Sequence, residues 1–146
     1  MMLPLLLLAL AAGVLLPVQA GVNAQLRSVL GSPLAAALVS FLVGSAGLAL
    51  ITLLLRIPIA FRVAWAGSAW WQWTGGLIGA AYVLSIIILA PKLGAATLMA
   101  AVVAGQMLAS VVLDQYGLLG FPVHPVSAVR LLGAGLVIAG VMLVQR

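Results

Sequence analysis

The fold class predicted by the sequence is an all-α integral membrane protein, a bundle of five transmembrane helices, and three observations carry it. Asp114 is the only acidic residue among 146. Hydrophobic residues make up 66% of the chain and charged ones 5%, where soluble domains carry about 25% charged residues. The apolar residues also gather into five long runs, each close to the roughly 20 residues that cross a hydrocarbon core about 30 Å thick. Backbone polar groups must be satisfied inside lipid, so uninterrupted runs of this length are helices. A membrane barrel would need alternating segments of about ten residues.

The first span is expected at 2–20, interrupted by Pro4 and Pro17. Val18-Gln19-Ala20 also suits the cleavage site of a signal peptide. A basic n-region is missing and another membrane segment follows, so a retained helix is the expectation. The second span, 34–55, lies between Pro33 and Arg56, with Ser40, Ser45 and Thr52 as its polar members. The third, 69–90, is expected to stop at Pro91-Lys92, because proline does not continue a helix cleanly. The fourth, 93–113, is expected to end at Asp114. The fifth, 126–144, carries Arg130 near its start, where a long side chain reaches the interface. The connections at 21–33, 56–68, 91–92 and 114–125 are too short to fold separately, so 1–146 reads as a single domain.

Composition excludes several classes of function. The basic residues stand singly between apolar runs, which argues against nucleic acid. Without cysteine there is no disulfide framework and no thiolate metal site. One His and one Asp cannot build a tetrahedral metal site within a subunit, and no cofactor is expected. Nor do they supply a nucleophile, base and orienting group, so the chain is not expected to be an enzyme.

Charge placement bears on orientation. Alternating spans put Arg56, Arg62 and Arg130 on the face that holds the N-terminus, and Arg27, Lys92 and Arg146 on the other. Orientation follows the excess of Lys and Arg in short cytoplasmic loops, and a tie predicts insertion both ways. The alternative is that Arg56 and Arg62 together dominate insertion. Many transporters set an inverted repeat against its mate and bind substrate at the midplane between them. A chain inserted in both directions would be one such repeat, and an antiparallel homodimer would hold ten helices.

GVNAQLRSVLGSPLAAALVSFLVG (21–44), GGLIGAAYV (75–83) and PKLGAATLMAAVVAGQMLASVVLDQYGLLG (91–120), with His124-Pro125 before the last helix, resemble the YdcZ-like branch of the drug/metabolite transporter superfamily. The resemblance covers nearly the whole chain. It implies a five-helix protein of the bacterial inner membrane that exports a small molecule, and it leaves the substrate open. The small multidrug resistance exporters of the same superfamily couple protons through a Glu in the first helix. The run 2–20 contains no acid, so that mechanism does not carry over.

Gln106, Ser110 and Asp114 recur every four residues, within about 80° of arc on a helix. Intramembrane polar groups generally face the bundle interior or a water-filled path. Gln106 and Ser110 are therefore substrate-binding candidates, and Asp114 a gating or ion-pairing one. For Asp114 the structural reading, a pair with an interfacial Arg, is preferred. Tyr82 and Ser85, one turn apart, are further substrate-binding candidates. All four tryptophans fall within 65–73. They read as an interfacial belt or, more sharply, as an aromatic cage for a cation, and Trp71 joins the substrate candidates on that basis. Asn23 and Arg27, in the polar exit from the first span, form either a gate or a solvated connection. Small residues four apart (Ser40 and Gly44; Gly75 and Gly79; Ala101, Gly105 and Ala109; Gly135 and Ala139) favour close packing, expected mainly within the chain. The leading function is transport of a lipophilic or weakly polar molecule. The rivals are a dual-topology small-ion channel and a structural or assembly subunit of a membrane complex.

Overall fold

The computed structural model describes residues 2–145 and consists of helices and their connections. Arg146, counted in the charge tally, lies outside the described residues. The helices are α1 (Met2–Leu30), α2 (Pro33–Leu54), α3 (Phe61–Gly67), α4 (Gly75–Leu93), α5 (Ala95–Tyr116) and α6 (Ala128–Val144). Short 3-10 turns occupy Trp70–Thr74 and Leu118–Gly120. Four segments are long and apolar enough to cross a membrane: α1, α2, Trp70–Leu93 and α5. The apolar helix α6 has 17 residues, so it reaches about 26 Å, just short of a hydrocarbon core of about 30 Å.

Several boundaries differ from expectation, each for a local reason. The run at 2–20 and most of the connection at 21–33 form one helix. Gly21 lies inside it; a single glycine costs a helix only about 1 kcal/mol. The stop comes at Gly31, at φ +70°, whose N–H bonds Arg27 C=O at 2.9 Å. Ser32 then caps α2, its hydroxyl oxygen accepting from the Ala35 N–H at 3.3 Å, with Pro33 in the first turn. Asn23 and Arg27 are thus helical residues, and the solvated-connection reading falls.

At its far end α2 closes with the paired bonds of a Schellman motif, Arg56 N–H to Leu53 C=O at 3.1 Å and Ile57 N–H to Thr52 C=O at 3.0 Å. Arg56 occupies the left-handed position, φ 52°. The expected connection at 56–68 contains α3.

Pro91-Lys92 does not end the third run; α4 continues to Leu93. Proline in the last turn deletes only its own bond, and the break falls at Gly94, φ 74° and ψ 164°, a backbone region used essentially by glycine. Asp114 lies inside the last turn of α5, which ends at Gly117 in the left-handed conformation. Ser127 caps α6, its side chain accepting from Arg130 N–H.

The chain divides into two compact units, one up to Pro91 and one from Lys92 onward. In the first unit Ala36 and Ala37 of α2 and Val83 and Ile87 of α4 form a core, flanked by Leu26, Phe41, Tyr82 and Leu84. Alanines at the contact let the helices approach closely. In the second unit α5 packs against α6.

Internal packing of the small-residue faces holds only in part. A methyl group added at Gly79 would meet the Phe41 ring at 3.6 Å, so that face is used within the first unit. At Gly44, Gly75, Gly105 and Gly135 it would meet nothing within 4 Å. Among the described residues, those positions have no close neighbour within their own units.

Candidate functional site

The extension of α1 to Leu30 builds a polar seam absent from the sequence reading. Gln19, Asn23 and Arg27 recur every four residues on one continuous helix, within about 80° of arc. Asn23 is 4% exposed. With Gln19, Leu16, Tyr82, Val83 and Ile86 it lines a cavity of about 10 Å³ between α1 and α4, a size that suits about one water. Among the described residues the Asn23 side chain makes no hydrogen bond. The same four-residue spacing that marks Gln106, Ser110 and Asp114 would have revealed this stripe. Placing the end of the first span at residue 20, and Asn23 and Arg27 in a polar exit, concealed it.

One turn further, half-buried Arg27 donates from Nη1 to the Ile87 carbonyl at 3.1 Å. In an uninterrupted helix that carbonyl would accept the N–H four residues on. The residue four on is Pro91, inside α4, and it has no N–H. The guanidinium therefore replaces the missing backbone donor. Ile87 is fully buried, where an unpaired carbonyl would be costly.

Within the first unit two of the predicted substrate residues differ in their surroundings. Tyr82 is half-buried and lines the cavity, whereas Ser85 is exposed and its hydroxyl donates to Ala81 C=O at 2.8 Å. Tyr82 and Ser85 thus do not present a common polar face. In the second unit Ser110 donates to Gln106 C=O at 2.7 Å, a local bond that serine commonly makes inside helices. Gln106 is exposed, and among the described residues its carboxamide has no hydrogen-bond partner.

Asp114 forms an ion pair with Arg130, their side chains 22% and 32% exposed. Arg130 Nη1 also donates to His124 C=O at 2.7 Å, and His124 N–H to Asp114 C=O at 2.9 Å. Val126 N–H donates to Gln115 Oε1 at 2.6 Å. Together these bonds lock the irregular stretch between α5 and α6. Asp114 serves there as a clamp, and the arginine that pairs with it is Arg130.

The tryptophans cluster around α3 and the 3-10 turn after it. Trp65 and Trp73 have ring centroids 5.3 Å apart, tilted by 54°, and Trp73 Nε1 donates to Ser68 Oγ at 2.8 Å. Their groove also includes Arg62, whose charge opposes a bound cation. Trp71 is exposed and outside that groove. Exposed indole faces of this kind suit the membrane interface.

Four long apolar helices with isolated polar groups set into them define an all-helical membrane protein. The family model described as "Putative inner membrane exporter, YdcZ" matches residues 4–143; the chain belongs to that family and resides in the inner membrane. No curated protein and no solved structure matches the chain.

Proposed function

We propose that the protein exports a lipophilic or weakly polar small molecule by alternating access, working as a dual-topology antiparallel homodimer. Here α6 serves as a fifth span, and two copies supply ten helices around a central pathway. Gln106 carries this reading. It lies well inside α5, a helix apolar enough to cross a membrane, yet its carboxamide is exposed and unpartnered among the described residues. Polar groups at such depth face a partner helix or a path containing water. Ala101, Gly105 and Ala109 lie along the same helix, with open space beside Gly105, and small residues there let another backbone come close. A second copy that covers this face supplies both the partner and the pathway.

Gln106→Leu tests the reading. Transport into proteoliposomes, or stabilisation by a substrate found in a thermal-shift panel, should be lost while expression and dimer formation stay near parental levels. Hydrogen bonds between membrane helices average only about 0.6 kcal/mol, so the substitution should not unfold the bundle. Parental transport by the variant would make Gln106 a packing residue, and a failure to assemble would make it a structural one.

A further inference from the structure

We propose that the α1–α4 seam of the first unit is an anion-binding site, in which Arg27 takes a carboxylate or phosphate and Asn23 the neighbouring polar atoms. The ligand is an amphiphile with an otherwise apolar body. The inference rests on the exporter reading, for which it names the substrate class.

Charge is the first argument. Arg27 is half-buried, and the chain's one acid, Asp114, is paired with Arg130. Among the described residues Arg27 therefore has no counter-ion. The negative end of the α1 dipole offsets part of its charge, since Arg27 lies in the last turn. Among the described residues only one of its five N–H donors is used, and that on a neutral carbonyl. A guanidinium gains most from a carboxylate or phosphate, which it holds through two parallel bonds.

Asn23 is the second, independent argument. The residue is 4% exposed and lines the cavity, and its side chain has no hydrogen bond among the described residues. No side-chain N or O atom there is wholly buried without a partner, so the amide keeps its small accessible area at the cavity. An amide that reaches a cavity surface with no protein partner leaves both its donor and its acceptor open to a ligand. It lies one helical turn from Arg27, so one small polar head can reach both.

The cavity, about 10 Å³, is too small for such a head, and the seam must widen to admit it. Pro91 makes that feasible. The Ile87 carbonyl has no N–H of its own helix to lose, and only the Arg27 bond restrains it there. An anion competes with the carbonyl for the same guanidinium, so binding releases α4 at its proline. Occupancy is thereby coupled to bending of a membrane helix.

The test uses the full chain in phosphatidylcholine nanodiscs, melted with decyl phosphate, decanoate or decanol. Both anions should raise Tm by about 5–10 °C at roughly a hundredfold excess over Kd, and decanol should not. Asn23→Leu and Arg27→Gln should each abolish the shift, and Arg27→Lys should keep part of it. Arg27→Gln also strips Ile87 of its donor and can misfold; Asn23→Leu leaves that bond intact and decides the matter in that case. A shift seen with added phosphatidylglycerol but not with the soluble anions would support the anion site and overturn its assignment to substrate. No shift with any anion, or one that survives Asn23→Leu, overturns the proposal. Proteoliposome flux separates this inference from the reading beneath it. Flux of a neutral solute with no anion shift defeats the inference alone. An anion shift with no flux of decanoate, decyl phosphate or any panel solute defeats the exporter reading alone.

Discussion

Gly117 shows how much one residue decides in this chain. It ends α5 at φ +60°, and an added Cβ would stand 2.7 Å from Val123 Cγ2 and 3.4 Å from the Phe121 carbonyl oxygen. Two penalties combine in Gly117→Ala: the left-handed backbone, about 1 kcal/mol or more for a residue with a Cβ, and a clash inside the clamped α5–α6 connection. Together they should lower stability by about 1–3 kcal/mol, read as a reduced Tm. Gly120→Ala is the control, with φ +85° but nothing within 4 Å, so it should show only the backbone penalty. Equal losses in the two variants would mean that the Val123 contact carries no weight. The left-handed glycine was legible in general terms, because glycine is favoured just past a helix end. That Val123 would fill the space beside it was not, since this depends on how the segment after the turn folds back.

At the scale of the element, α4 is a helix completed by a side chain from elsewhere. If Arg27 stands in for the missing N–H of Pro91, the two positions must be coupled. Arg27→Ala should cost about 1–3 kcal/mol in the parent, the penalty for a buried carbonyl left without a donor. In a Pro91→Ala background the helix supplies its own N–H, and the same substitution should cost about 1 kcal/mol less. A double-mutant cycle followed by thermal unfolding measures the difference, and additive losses would refute the substitution of guanidinium for backbone. The boundaries of α4 also show where sequence reasoning went astray. Pro91 is a sound signal of a helix end, but it was overridden by a donor 60 residues away in the chain. The first span is expected at 2–20 because polar residues follow it, whereas α1 runs on through Asn23 and Arg27 to Leu30.

For the whole molecule the proposed antiparallel assembly rests on the balance of charges. The face with the N-terminus is assigned Arg56, Arg62 and Arg130, the other Arg27, Lys92 and Arg146. A tie predicts two populations of opposite orientation. C-terminal fusions to one reporter active only in the cytoplasm and another active only outside should give comparable signals. Two lysines added to one end should then silence one of them. A single active reporter at good expression in the parent would defeat dual insertion, and the antiparallel dimer with it. The pairing of Arg130 with Asp114 leaves this expectation in place, because acidic residues count little in orienting membrane helices.

The sequence by itself determined what depends on local composition. Its hydropathy required lipid and helices, its single acid excluded a conventional surface for water, and its motifs pointed to the exporter family. Breaks at Gly31–Pro33 and Gly117 were within reach of the same reading, because glycine and proline act on the backbone where they stand. Only the tertiary structure decided which polar groups meet. Asn23 became a buried residue when α1 proved continuous, and Arg27 found its acceptor on a helix far along the chain. Asp114 closed onto Arg130 across an irregular turn, while Gln106, on a stripe of identical spacing, has no hydrogen-bond partner for its carboxamide among the described residues. Spacing assigns residues to one face of a helix. Which face is covered, and by what, follows from close packing among distant segments, and that information is spread over the whole fold.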